Sequence, residues 1–309
     1  MERFFSIVFG GLAAVFFGLF LAWGAAKITR SSIVSSFFEP KVVDGTLVNG
    51  LLRTIRYTAD EEENPIDPSL VIAAQKTTGR ITATSYIVRD LTTDTVVAQR
   101  DQDRLVPIAS LTKLITAIVV RRLIPEQTKI PITQDVMDTY GNTAGFRVGE
   151  TFTAEDLMYP LLMVSSNDAA EAFARQYGRA RFMKTMNDFA QSIGAYRTYF
   201  ADPSGLSPKN ESSANDLAMV LDWIRLNDPT ILSIIELKAK TVRAHTWVNP
   251  AHFLSWSYYI GGKNGYTDEA GNTTASLFAM GPRKDVYAVV VLGSKNRDAD
   301  VSELLKKIK

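Results

Sequence analysis

Cysteine is absent from the 309 residues, and histidine is nearly so, occurring only at His245 and His252. The first absence excludes disulfide frameworks, thiolate nucleophiles and Cys-ligated metals or clusters. The second leaves little imidazole for base chemistry, so nucleophilic catalysis falls to serine, threonine, lysine or carboxylates. An excess of one charge is also missing. The 34 basic and 33 acidic groups leave +1, which removes the broad basic field of a general nucleic-acid binder. Low-complexity bias is lacking too, and 46% hydrophobic, 10% aromatic and 22% charged residues exclude a mainly disordered chain, a collagen-like fibre and a polytopic membrane protein. There is no Walker A, no Gly-x-Gly-x-x-Gly and no His-Glu-x-x-His. Neither histidine has metal-ligand spacing around it, and no metal or cofactor is expected. Both are expected to pack or to face solvent.

The length fits two domains, or one large catalytic unit with appendages. Phe4 to Ala26 carries no charge and is long enough to cross a bilayer as a helix. Residues 1–30 are therefore expected to be a membrane anchor or an uncleaved signal. Small residues at Ala22 and Gly24, or Gly24 and Ala26, are the exit a cleavable signal would use. Residues 31–68 end in Asp60-Glu61-Glu62-Glu63 followed by Asn64-Pro65 and Asp67-Pro68. Clustered like charge and proline oppose packing, so this stretch is expected to be a linker.

Residues 69–309 are expected to form the folded domain. Ile81 to Asp90 and Thr95 to Arg100 have strand character around a turn at Thr92-Thr93-Asp94. Helical periodicity follows over Leu111–Leu123, Ala154–Met163, Asp168–Tyr177, Arg181–Ile193 and Ala214–Leu226. Thr153 and Ser213 stand where N-caps belong, each with Asp three residues on. Strands return at Asn272–Met280 and Val286–Leu292, and a last helix spans Asp298–Ile308. This order predicts an α/β (α+β) fold. A mainly antiparallel sheet joins the first and last strands, helices cover it, and a helical lobe is inserted between them. Trp247, Phe253, Trp256, Tyr258 and Tyr259 are expected in the core.

With histidine scarce, a serine activated by lysine is the chemistry to seek. Ser110-Leu111-Thr112-Lys113 opens a periodic helix, and a spacing of three places Lys113 beside Ser110. The helix N-terminus offers free N–H groups to an oxyanion forming there. Alone the pattern is weak, since 21 Ser and 15 Lys yield about one Ser-x-x-Lys by chance. Its company strengthens it. Ser165-Ser166-Asn167 lies at a break between two helical segments, and Lys263-Asn264-Gly265 is the one Lys-x-Gly in the chain. Glycine there lets another backbone approach the strand, as a peptide bonding to a strand edge requires.

These three motifs, in this order on a strand–helix–strand plan, resemble the penicillin-binding protein and serine β-lactamase superfamily. More narrowly, the chain resembles the D-alanyl-D-alanine carboxypeptidases of serine peptidase family S11. The matching stretches are Pro107 to Lys113, Val148 to Thr153, Ser165 to Ala170, Asp202 to Leu206 and Gly262 to Gly271. The resemblance implies that Ser110 is the nucleophile, Lys113 its base, Ser165 a proton relay and Asn167 the holder of Lys113 and of the substrate amide. Lys263, Asn264, Gly265, Tyr266 and Thr267 would form the substrate-binding strand. Lys263 would attract the terminal carboxylate and help keep Lys113 neutral. The backbone N–H groups of Ser110 and Tyr266 would form the oxyanion hole. The implied substrate is a peptidoglycan stem peptide ending in D-Ala-D-Ala, and β-lactams are the implied covalent inhibitors.

One position departs from the family, whose third motif is Lys-Thr-Gly. Asn264 replaces the threonine, and Thr267 is the nearby hydroxyl available to make good the loss. This leaves open release of the terminal D-alanine versus D,D-endopeptidase cleavage of cross-links. A serine β-lactamase and a tethered binding protein with a weakened site are further alternatives. The balance of Arg3 against Lys27 and Arg30 points the C-terminal portion toward the cytoplasm. The implied substrate requires the opposite, so the expectation is a single-pass protein of the cytoplasmic membrane with its catalytic domain outside.

Overall fold

The computed structural model describes residues 81–141 and 143–308. The expected anchor at 1–30, the linker at 31–68 and the start of the folded domain near Ser69 lie outside the described residues. Among the described residues no helix is long and apolar enough to cross a membrane.

Strands β1 (Ser85–Asp90) and β2 (Thr95–Arg100) form a hairpin. Asp90 Oδ1 closes it by accepting from the N–H groups of Thr92 and Thr93 at 2.8 and 3.2 Å, an aspartate turn that competes with continued pairing. After the short strand β3 (Val106–Pro107) comes a 3₁₀ turn, Ala109–Leu111, which runs directly into α1 (Thr112–Leu123). From Thr112 to Val120 every residue of α1 is buried, as a helix at the centre of a lobe must be.

The small ribbon β4 (Lys129–Pro131) and β5 (Thr151–Thr153) and the short α2 (Gln134–Met137) precede α3 (Ala154–Met163), α4 (Asn167–Tyr177) and α5 (Arg179–Ser192); α3, α4 and α5 pack on α1, and α2 lies against α4. Thr153 forms a full capping box with Asp156 at the start of α3. Past the second short ribbon strand, β6 (Glu211–Ser212), Ser213 caps α6 (Ala214–Asn227). The two caps expected from the sequence are therefore both formed.

After α7 (Thr230–Ile235) and the hairpin β7 (Ala239–Val242) and β8 (His245–Val248), the chain enters β9 (Tyr259–Thr267), β10 (Gly271–Met280) and β11 (Asp285–Ser294), then α8 (Arg297–Leu305). The main sheet is antiparallel with order β2-β1-β11-β10-β9. The first and last strands thus share one sheet, and β9 is its edge.

Strand alternation sorts the core. Tyr86, Val88, Val289, Val291 and Phe278 face α8 through Val301, Leu304 and Leu305, where Phe253, Trp256, Tyr258 and Tyr259 also pack. The opposite face, carrying Ile87 and Val290 paired in register, lies against α6. Burial on both faces explains the unbroken apolar run of β11. Trp247 is buried outside this cluster, its indole N–H donating to Ala144 O at 3.0 Å. His245 pairs with Glu150 at 2.9 Å, and His252 is largely exposed beside Asp298.

Removing the Thr153 hydroxyl leaves the Asp156 N–H in the first turn of α3 without its side-chain acceptor. Thr153→Ala is expected to lower stability by about 1 kcal/mol, measured by chemical denaturation.

Candidate active site

The nucleophile candidate lies one step before the helix that the sequence assigns it to. Ser110 occupies the 3₁₀ turn ahead of α1. Residues three apart eclipse in that geometry, so Lys113 Nζ still comes to 3.0 Å from Ser110 Oγ. Ala109 holds a left-handed φ of 50°, a conformation that costs a non-glycine residue free energy and persists only where its surroundings enforce it. The enforcement is visible. Thr112 Oγ1 donates to Ala109 O at 2.9 Å, and Thr273 Oγ1 of β10 donates to Ile108 O at 3.2 Å.

Two glycines let neighbouring backbone close on this turn. A Cβ on Gly265 would stand 2.9 Å from Ser110 N. One on Gly205 would stand 1.9 Å from Ala109 O, and Gly205 also has a φ of 91°. Any larger side chain at either place would push on the nucleophile itself.

Lys113 is fully buried. Besides Ser110 its amine meets Asn167 Oδ1 and the carbonyl of Ser204, each at 2.7 Å. The orientation of the Asn167 amide is fixed on its other side, where Nδ2 donates to Tyr140 O at 2.9 Å. Both neighbours of the amine are obligate acceptors. A neutral amine gives one hydrogen to each, and its lone pair is left for the Ser110 hydroxyl. Burial, and after it the Lys263 ammonium, pull the Lys113 pKa well below the ordinary amine range, while Asp202 and Asp168 act in the opposite direction. The neutral form needed by a base is therefore favoured.

Ser165, at the break between α3 and α4, has a left-handed φ of 62°, and its buried hydroxyl has no partner among the described residues. Lys263 on edge strand β9 is also buried. Its amine donates to Asn264 O at 2.9 Å, and burial followed by the Arg297 guanidinium brings its pKa down to about 7. Asn264 Oδ1 is buried and unpartnered among the described residues. Tyr266 is 60% exposed and donates its phenol to Asp268 at 2.9 Å. Thr267 Oγ1 accepts from Ala270 N at 3.1 Å, so this hydroxyl helps shape the β9–β10 turn.

The structure therefore brings Ser110, Lys113, Asn167 and Gly265 into direct juxtaposition. Four further participants were given no role by the sequence reading, although Ser204 and Asp168 lie in stretches that it matched to the family. The Ser204 carbonyl belongs to Asp202-Pro-Ser-Gly, where an Asp two residues before a serine and three before a glycine signals an aspartate turn. Arg297 stands after the last strand with no local signal, and its guanidinium reaches Gly265 O at 3.4 Å. Tyr140 enters through its backbone alone. Asp168 is buried with both oxygens unpartnered among the described residues, and burial pushes its pKa up to about 6.

Comparison with known proteins agrees with this arrangement. The family model for D-alanyl-D-alanine carboxypeptidase, peptidase S11, matches residues 71–296. A D-alanyl-D-alanine endopeptidase of Pseudomonas aeruginosa is 33% identical over 235 residues, covering 71% of this chain and 75% of that protein. A D-alanyl-D-alanine carboxypeptidase of Mycobacterium tuberculosis is 32% identical over 219 residues, covering 67% and 74%. The crystal structure of a D-alanyl-D-alanine carboxypeptidase from Mycobacterium tuberculosis superposes with a TM-score of 0.68 at 27% identity, over 74% of this chain and 91% of that one. With the motifs, the sheet order and the Ser110–Lys113 geometry in agreement, the chain belongs to the peptidase S11 family of D-alanyl-D-alanine carboxypeptidases.

Proposed function

We propose that this chain is a serine D-alanyl-D-alanine carboxypeptidase acting on peptidoglycan stem peptides through an acyl-enzyme on Ser110. The observation that carries the reading is the 3.0 Å approach of a buried, acceptor-flanked lysine amine to the serine hydroxyl. Lys113 takes the hydroxyl proton as Ser110 attacks the carbonyl between the two D-alanines. Negative charge gathers on the carbonyl oxygen, toward the backbone N–H groups of Ser110 and Tyr266. Loss of one such donor costs about 3–4 kcal/mol of transition-state stabilisation. Ser165, whose hydroxyl has no partner among the described residues, passes a proton to the departing amine. Lys263 and its neighbour Arg297 supply positive charge for the terminal carboxylate. Water then hydrolyses the ester. A β-lactam presents a strained amide to the same serine and is expected to acylate it.

Asn264 supports a second reading. Its side-chain oxygen is buried and unpartnered among the described residues, at the motif position where the family has threonine, and several similar proteins bear the name D-alanyl-D-alanine endopeptidase. The asparagine amide can donate as well as accept, but it is larger than a threonine hydroxyl and places its donor elsewhere, which favours cleavage of cross-links over release of the last D-alanine. The charge-free run from Phe4 to Ala26 supports a retained anchor that holds the catalytic domain on the outer face of the cytoplasmic membrane.

A labelled penicillin is expected to acylate the wild-type chain but neither Ser110→Ala nor Lys113→Ala; full labelling of the lysine variant would remove Lys113 from the base role. Asn264→Thr is expected to raise the ratio of D-alanine release to cross-link cleavage, followed by chromatography of purified muropeptides. An unchanged ratio would place Asn264 off the substrate path. Cell fractionation should find the full chain in membranes that resist carbonate extraction, and release of the chain by carbonate would exclude a spanning anchor.

A further inference from the structure

The amine of Lys113 is oriented by two acceptors, and one of them, the Ser204 carbonyl, belongs to a loop with no side chain at the reacting atoms. That loop is organised around a single carboxylate. Asp202 Oδ1 accepts from Ser204 N at 2.7 Å, Ser204 Oγ at 2.8 Å, Gly205 N at 2.7 Å and Leu206 N at 3.3 Å. Its Oδ2 accepts from Ser207 N at 2.7 Å.

The backbone on either side is tied to the helix that carries the base. Thr116 Oγ1 of α1 donates to Pro203 O at 2.6 Å. Asn210 Nδ2 donates both to Asp202 O at 2.8 Å and to Thr112 Oγ1 at 3.0 Å. The tight turn then brings Gly205 against Ala109 O, immediately before the nucleophile. One carboxylate therefore fixes both an acceptor of the base and a wall of the turn that presents the serine.

We infer that Asp202 is a positioning residue for acyl transfer, folding the 202–207 loop so that the Ser204 carbonyl takes one Lys113 hydrogen and leaves the lone pair directed at Ser110. This rests on the Ser110–Lys113 reading above and adds to it a residue that touches neither substrate nor nucleophile. A base turned away from its proton loses rate without losing ligand, because the substrate is held by β9 on the other side of the site. Asp202 exists as a carboxylate for this purpose. Burial works against its charge, but the donors of Ser207, Ser204 and Gly205 outweigh that and hold its pKa below the ordinary range.

The oxygen that accepts four of the five bonds survives in Asp202→Asn, whereas Asp202→Ala removes all five. Acylation of the full-length chain by a chromogenic cephalosporin, followed by stopped flow over a range of concentrations, separates the non-covalent constant from the acylation rate constant. In Asp202→Ala the rate constant is expected to fall roughly a hundredfold, the cost of a displacement of about 1 Å at reacting groups. The non-covalent constant should move by less than about twofold, and Asp202→Asn should fall between Ala and wild type.

An unchanged rate constant, a non-covalent constant weakened as much as the rate, or Asn no faster than Ala would overturn the inference. Should Asp202→Ala fail to fold, Thr116→Val, which releases the same loop at Pro203, takes its place with the same expected split. Failure of the wild type to acylate, or acylation of Ser110→Ala, would instead overturn the underlying reading of the site.

Discussion

A buried lysine amine that no carboxylate touches among the described residues is the constraint around which this protein is arranged. Leaving the charged form unsolvated is costly, so the amine is driven toward neutrality, and a neutral amine has one lone pair and two hydrogens to place. Asn167 Oδ1 and the Ser204 carbonyl take the hydrogens at 2.7 Å each. Their location on two separate segments explains why the helical lobe and the 202–207 loop must converge on α1. The resting site is poised because every competing partner for the hydrogens is fixed and only the serine faces the free electron pair.

The charges around this amine have opposing effects. Lys263 and, behind it, Arg297 lie on the sheet side, while Asp202 and Asp168 lie on the helical side. Cations near a substrate carboxylate serve two purposes, since they attract the ligand and penalise a second proton on Lys113. Asp168 is harder to account for as a stabilising feature. A buried carboxyl without partners among the described residues disfavours its own ionised form, and its upward shift to about 6 is the consequence.

Most of the scaffold was legible in the sequence because it follows from local chemistry. Thr153 with Asp156 and Ser213 with Asp216 announce two helix starts, the alternating and continuous apolar runs announce β1, β10 and β11, and Ala154–Met163 is bounded as expected. Less legible were features that depend on contacts distant in sequence. The short ribbons β3–β6, β4–β5 and β7–β8 have two to four residues per strand and no periodicity to detect. At the site, Ser110 and Lys113 could be paired by spacing, whereas Arg297, the Tyr140 carbonyl and the Ser204 carbonyl could not. Backbone acceptors leave no mark in the amino-acid alphabet, and Arg297 meets Gly265 across 32 residues.

The sheet that supplies Lys263 is closed by strands from distant parts of the chain, with Ser85 opposite Leu292. A ribosome therefore delivers the serine and its base long before the strands that complete the active centre. Until β9 to β11 emerge, β1 and β2 have no other strand of the main sheet to pair with, and a lone two-stranded hairpin is marginal in water. Reactivity is thereby tied to the arrival of β9 to β11, and a nascent fragment that carries Ser110 and Lys113 without them has the reacting pair but lacks the strand that bears Lys263.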